Sequence, residues 1–285
     1  MRRNRAAGSR FRSLWAGSVL FHVCVGLRLF AAFEGKPFSA RSAALGESLV
    51  GATVGLDAAH ENPASLAFSE RSGVSFAHAR LFGENDLPMN SIGGVFRTEH
   101  RGGFGGFLTD FGSSLYRERE MGLSWGGRLA DRAGLGVTLK RQDLTMDRYG
   151  GFGAYQVDVG VFGRLLPVLS AGITVKNLTQ SPLGGTPEAP PAIFSAGASL
   201  DLLARGSTSL AVVQESSGRV SWRAGQEAWL HPAFALRAGF ETGPNRFALG
   251  MGFLRPLFAL DYAFLTHSTL PDQHQFTFSF FFRGS

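Results

Sequence analysis

From about Gly73 to the end of the chain, large apolar residues recur at every second position. That period belongs to extended strands, whose successive side chains point to opposite faces. The last run shows it most clearly, with Phe276, Phe278, Phe280 and Phe282 on one face and Gln275, Thr277 and Ser279 on the other. Before it, Phe258, Leu260, Tyr262 and Phe264 oppose Ala259, Asp261 and Ala263. The opposite face is mostly Gly, Ala and Ser with occasional charges. A soluble sandwich would turn Lys, Glu and Thr towards water on that face. Bulky apolar residues outside and small ones inside suit a closed barrel in lipid, where every backbone group must pair within the sheet.

Fourteen such runs lie between Gly73 and Phe282, about 15 residues per strand and connection. That spacing leaves room for the ~10 residues that cross a bilayer at a tilt, plus a turn. The connections alternate in length, as in a barrel with short inner turns and longer outer loops. Gly83–Asn90, Asp143–Phe152, Thr179–Pro191 and Thr266–Gln273 read as long, and Ala130–Ala133, Arg205–Ser207 and His231–Ala233 as short. Ten of the prolines, from Pro88 to Pro271, fall at or between strand ends, where no ladder donor is lost. The expected fold is all-β: a closed antiparallel transmembrane barrel of about 14 strands. The alternative is a soluble exported β-sandwich acting as a partner-binding module.

Charge is distributed unevenly. The chain carries 28 Lys+Arg against 22 Asp+Glu, an excess that by itself would suggest an anionic partner such as nucleic acid. Arg2, Arg3, Arg5, Arg10, Arg12 and Arg28 all precede the first acid, and without them 28 − 6 = 22 bases balance 22 acids. Basic residues, an apolar stretch from Leu14 to Val25 and small residues at Ala31 and Ala32 form the layout of an export signal over residues 1–32. Cys24 would leave with that segment, which removes Cys-based metal sites and nucleophiles from the remainder. Nucleic acid is therefore not an expected partner, and the composition points to export. The 38 Gly and 26 Phe in a chain only 18% charged agree with a barrel.

Residues 33–72 form a separate small-residue segment. Ala43, Ala44, Leu45, Leu49, Val50 and Ala52 suit a short, tightly packed helix. Asn62 before Pro63 is placed to cap a further helical turn that begins at the proline. A compact helix of this kind fits inside a lumen, where it would plug or gate the barrel. Asp57, Asn62, Pro63, Ala64 and Leu66 are the residues assigned to that motif.

Residues 39–68, SARSAALGESLVGATVGLDAAHENPASLAF, resemble the opening of FadL-like outer-membrane proteins, in particular the PorV/PorQ family. Asn62, Pro63, Ala64, Leu66 and Ala67 carry the N-P-A-x-L-A signature, while Gly46-Glu47 stands where the family usually has Gly-Gly. Tyr155–Asn177 resembles the family's central hairpin, and Arg237–Phe282 its last four strands. Phe276, Phe278, Phe280 and Phe282 resemble the carboxy-terminal signal read by the barrel-insertion machinery, although Arg283, Gly284 and Ser285 extend past the usual terminal aromatic. The resemblance implies an outer-membrane location in a Gram-negative-type bacterium. It also implies one of two roles: passage of a hydrophobic small molecule, or an accessory role in secretion with a protein as cargo. Outer-membrane lipid is the implied surroundings.

Lys140, Asp158, Lys176, Asp201, Arg223, Arg237 and Asp261 fall on the inward face and are expected to form a lumen charge network. The histidines after residue 32 lack metal-ligand spacing, so no metal site is expected. Gly122–Gly126 fits G-x-S-x-G, but it lies within an alternating strand rather than at a strand-to-helix turn. No Walker loop is present and no cofactor is implied. The expectation is a non-enzymatic barrel over residues 73–285.

Overall fold

The computed structural model describes residues 32–33, 35–52, 55–81, 87–98, 102–184, 189–203, 205–267 and 271–282. Residues 1–31 of the segment expected to be an export signal, Cys24 among them, and the last three residues lie outside the described residues. Fourteen strands follow a helical segment. They are β1 (Gly73–Arg80), β2 (Pro88–Thr98), β3 (Gly102–Gly112), β4 (Tyr116–Ala130), β5 (Ala133–Met146), β6 (Gly150–Leu166) and β7 (Leu169–Lys176). The second half comprises β8 (Ile193–Leu203), β9 (Gly206–Glu215), β10 (Val220–His231), β11 (Phe234–Glu241), β12 (Arg246–Leu254), β13 (Phe258–Leu265) and β14 (Gln273–Phe281).

Each strand pairs antiparallel with its sequence neighbours, and β1 pairs with β14, so the sheet closes. The closing ladder runs without a break from Gly73↔Phe281 to Arg80↔His274. No free edge remains, which is the condition for exposing a sheet to hydrocarbon. The soluble-sandwich alternative is thereby excluded, since it needs two separate sheets with edges. All fourteen expected strands are present.

The strand faces divide as the alternation requires. Phe76, Ile92, Leu123, Leu249, Leu260, Phe276, Phe278 and Phe280 are exposed on the outer wall. Ser75, Ser124, Thr138, Ser199, Ser209, Ser221, Thr277 and Ser279 are buried on the inner wall. Apolar side chains that would be buried in a soluble core here face outward. The burial of small hydroxyls marks the lumen as the packed side.

One expected loop differs. The sequence predicts a long connection over Asp143–Phe152, but β5 continues to Met146 and β6 starts at Gly150, leaving only Asp147, Arg148 and Tyr149 between them. The ladder persists because its outward residues change from apolar to paired charge. Arg141 Nε lies 2.9 Å from the Asp143 carboxylate, and Arg117 Nε lies 2.7 Å from Asp110 on the neighbouring strand pair. Among the wall's connections, Leu81–Leu87, Asn177–Ala192 and Thr266–Asp272 are the extended ones at that end.

The segment before β1 folds as helix α1 (Ala40–Ala44), two 3-10 turns (Leu49–Gly51 and Gly55–Asp57), helix α2 (Ala58–Glu61) and a third 3-10 turn (Pro63–Phe68). Nearly all of its described residues are buried. Among the described residues, no helix is long and apolar enough to cross a membrane.

Candidate functional site

The candidate site is the lumen and the segment that fills it. Ser39 starts α1 by accepting a hydrogen bond from the Ser42 amide at 3.1 Å. Asn62 starts the last 3-10 turn in the same way, accepting from the Ala64 amide at 3.1 Å, with Pro63 in the first turn. The Asn62 amide nitrogen also donates to Val50 O at 2.9 Å and to Val161 O on β6 at 3.2 Å. One side chain thus ties two turns of the segment to each other and to the wall. This accounts physically for the Asn-Pro pair.

The segment touches every strand. α1 packs on β11–β14, the first 3-10 turn on β7–β9, the second on β1 and β2, and the last on β2–β6. Arg41 reaches Glu227 on β10 at 3.1 Å and closes the circle. Inner-wall glycines permit this proximity. A Cβ on Gly136 would lie 2.3 Å from Pro63 C, one on Gly172 2.1 Å from Val50 O, and one on Gly239 2.3 Å from the Gly46 nitrogen. Inner-wall hydroxyls satisfy the segment's backbone: Thr277 Oγ1 accepts from the Ala40 amide at 2.8 Å, while Ser124 donates to Ala59 O and Ser170 to Gly51 O. The Gly, Ala and Ser of the inner face are the mould of the plug.

Three charge clusters complete the lumen. Arg237 on β11 bridges Glu227 at 2.6 Å and Asp261 at 2.7 Å, and Arg41 of α1 joins them through Glu227. Arg223 and Arg246 each contact both Glu47 of the plug and Glu241, with Arg223 to Glu241 at 2.8 Å and Arg246 to Glu47 at 3.0 Å. Lys140 lies 3.0 Å from Asp158 and 3.6 Å from Glu120. Two of these clusters cross from plug to wall. Breaking a buried pair by removing one member costs about 3–5 kcal/mol, because the remaining charge is left unpaired.

Three plug acids respond differently to burial. Burial pushes the Asp57 carboxyl up to about 7, against the pull of Arg41. Burial also raises Glu47, against Arg223 and Arg246. Burial would raise Glu61 too, but the His60 ring 3.8 Å away, the charge of Lys176 and the hydroxyl of Ser42 (2.6 Å) outweigh it and hold the group at about 2.

Sequence-assigned residues fall into three sets. Asn62, Pro63, Ala64, Leu66 and Asp57 all lie buried in the plug. Lys140 and Asp158 meet in one cluster, and Arg237 and Asp261 in another, while Arg223 belongs to a third and Lys176 lies half-buried at the end of β7. Asp201 is not in the network: it is exposed, because the β7–β8 ladder ends at Leu169↔Leu200 and the β8–β9 register shifts immediately beyond. Phe276, Phe278, Phe280 and Phe282 point outward. Sequence reasoning missed the partner acids Glu47, Glu120, Glu227 and Glu241. The last two share inward parity with Arg223 and Arg237, so two further steps of each alternation lead to them.

At the end of the barrel bearing the longer loops, the plug and wall enclose a cavity of about 100 Å³ lined by Lys36, Glu47, His60, Glu118, Lys140 and Lys176 among others. At the short-turn end, a cavity of about 330 Å³ lies between Arg41, Leu56 and Asp57 of the plug and the inner wall of β11–β14. The first is polar and small, unlike the apolar pockets of several hundred Å³ that hold hydrophobic ligands.

No protein-family model matches the chain, and no curated protein matches it. Solved structures do. The toluene transporter TodX of Pseudomonas putida is 11% identical and superposes with a TM-score of 0.62 over 88% of this chain and 99% of that one. A FadL homologue of Pseudomonas aeruginosa is 13% identical, with a TM-score of 0.56 over 87% and 99%. The outer-membrane protein Omp33 of Acinetobacter baumannii is 5% identical, with a TM-score of 0.51 over 74% and 98%. The likeness is one of fold: a closed antiparallel β-barrel such as those of the FadL-type outer-membrane proteins.

Proposed function

We propose that this protein is a non-enzymatic outer-membrane barrel of FadL-like, PorV/PorQ type that works closed, as an accessory in protein secretion. Its short turns face the periplasm and its longer loops face outward. The observation that carries this reading is the plug's contact with all fourteen strands through glycine notches and two wall-spanning charge clusters. A seat of that extent fits a permanent closure better than a gate that must open at every passage. The connections Ser113–Leu115, Asp147–Tyr149 and Thr242–Asn245 are too short to build a capture basin at the outer mouth. The outward-facing wall and loops then offer the working surface to partner proteins.

The second reading, passage of a hydrophobic small molecule, is favoured by the likeness to TodX and the FadL homologue. A deletion strain separates the two. The accessory role predicts that a secreted protein fails to reach the cell surface while uptake of a monoaromatic solute is unchanged. The reverse pattern would contradict that role and support the channel.

A further inference from the structure

The two ends of the barrel use their charges differently. At the end bearing the longer loops, Arg117, Arg119, Arg141, Arg148 and Arg219 each pair with an acid. At the short-turn end, Arg71, Arg97, Arg128, Arg132, Arg164, Arg205 and Arg255 are exposed, and none makes an ion pair within 4.0 Å among the described residues. The exposed acids described there are Glu70, Asp131 and Asp201, so seven bases face three acids and leave an excess of four positive charges on this rim.

Three of these arginines form one group. Arg128 at the end of β4 and Arg164 at the end of β6 both lie over the ring of Phe68, 5.3 and 4.9 Å from its centre. Arg128 Nε also donates to Ala67 O at 3.1 Å. The Arg164 amide donates to the Arg132 carbonyl at 2.8 Å, which ties the end of β6 to the β4–β5 turn. Phe68 is buried with Ala64, Ala67 and Phe162 at the base of the plug, so the two guanidiniums it holds turn to the mouth of the lumen and away from the outer wall. A guanidinium that rests its flat face on a ring keeps the N–H donors that lie in its plane. The ring also restricts its motion, so less side-chain freedom is lost on binding. Leu129, Leu165, Leu166 and Val168 are exposed at the same two hairpin ends.

Fixed arginines beside exposed aliphatic residues match a partner that offers carboxylates and apolar side chains together. Lipid phosphates meet the outer wall of a barrel, whereas Arg128 and Arg164 turn to its mouth. We infer that Arg128, Arg132 and Arg164, grouped around Phe68, dock an acidic protein segment that also carries apolar residues. Its carboxylates accept from the guanidiniums, and its apolar side chains cover the exposed leucines. The positive excess of the whole rim steers the segment to this site. The inference deepens the accessory reading, which places this mouth in the periplasm and makes the partner a periplasmic protein.

A short fluorescent peptide of repeated Glu-Glu-Leu units tests this, with a control peptide in which every Glu is Gln. The full barrel is held in phosphatidylcholine nanodiscs, and binding is read by fluorescence anisotropy. The acidic peptide should bind saturably, and the Gln peptide at least about tenfold more weakly. Arg132→Gln should weaken the acidic peptide about threefold, and Arg128→Gln combined with Arg164→Gln about tenfold or more. Arg117→Gln combined with Arg119→Gln, at the other end, should leave it unchanged. Absence of saturable binding, equal binding of the two peptides, or wild-type affinity in the folded rim variants would overturn the inference. Native mass spectrometry that finds phosphatidylglycerol retained by the wild type and lost from the double rim variant would assign the arginines to lipid and overturn it as well. If the double variant does not fold, Arg132→Gln decides by the same criterion, because its side chain makes no hydrogen bond or ion pair among the described residues. A failed titration would leave the deletion-strain comparison untouched, so the docking site and the accessory reading fail separately.

Discussion

Replacing Gly136 by alanine tests whether the plug is seated on the wall as described. The new Cβ would lie 2.3 Å from Pro63 C and 2.4 Å from the Ala64 nitrogen, both backbone atoms. Ordinary contact begins near 3.4 Å, so the turn must retreat by about 1 Å. It has little freedom to do so. Asn62 holds it through bonds to Ala64, Val50 and Val161, and Ser65 Oγ donates to Asn62 O at 2.8 Å. Overpacking of a tight interior costs about 1–3 kcal/mol, and a rigid backbone neighbour places this case at about 2–3 kcal/mol. That corresponds to a shift of about 30- to 150-fold towards the unseated plug. Hydrogen exchange read by mass spectrometry on plug peptides reports this shift directly. Gly163→Ala is the control, because its nearest neighbour would be 3.7 Å away. Exchange over residues 40–68 should accelerate in the first variant and stay at the wild-type rate in the second. Wild-type exchange in a folded Gly136→Ala barrel would refute the seating.

Further outcomes follow from the same geometry. Asn62→Ala removes a cap and leaves Val50 O without its Asn62 donor, at a cost of about 2–4 kcal/mol, read as a lower temperature of heat modification on gels. Lys140→Ala strands Glu120 and Asp158 and should destabilise the barrel by about 3–5 kcal/mol in urea titration, more than removal of exposed Arg148. Phe278→Arg puts a charge mid-strand on the outer wall, opposite Phe76 and Leu260, and should cost about 2–4 kcal/mol when folding into vesicles. Asp57, with its folded value raised to about 7, favours the seated plug fully below its unfolded value and loses that contribution as pH rises through about 7. Glu47 is raised in the same sense. Glu61, held at about 2, acts oppositely and loses its contribution only on acidification through about 2. Plug protection, after division by the intrinsic exchange rate at each pH, should therefore be lower at pH 8 than at pH 5, and Asp57→Asn should flatten that dependence.

The wall was legible in the sequence because lipid and lumen impose opposite demands on alternate residues. Phe276 to Phe282 against Gln275 to Ser279 is such a pattern, and it survives without any knowledge of pairing partners. The Asn62-Pro63 cap was legible because capping is a local interaction. The continuation of β5 and β6 past Asp143 was not, because charge on the outer face breaks the apolar period while Arg141 and Asp143 continue the ladder. The charge clusters were half legible. Parity identifies which charges turn inward, but the contact of Glu47 with Arg246, 199 positions apart, depends on the closed fold.

Conductance across a planar bilayer tests the central claim most directly. The account predicts that the purified barrel inserts without opening a steady ion path, because plug, notches and charge clusters fill the lumen. A variant lacking residues 38–68 should conduct as an open pore. A stable pore in the unaltered protein, or a variant that inserts and remains as tight as the original, would contradict the account.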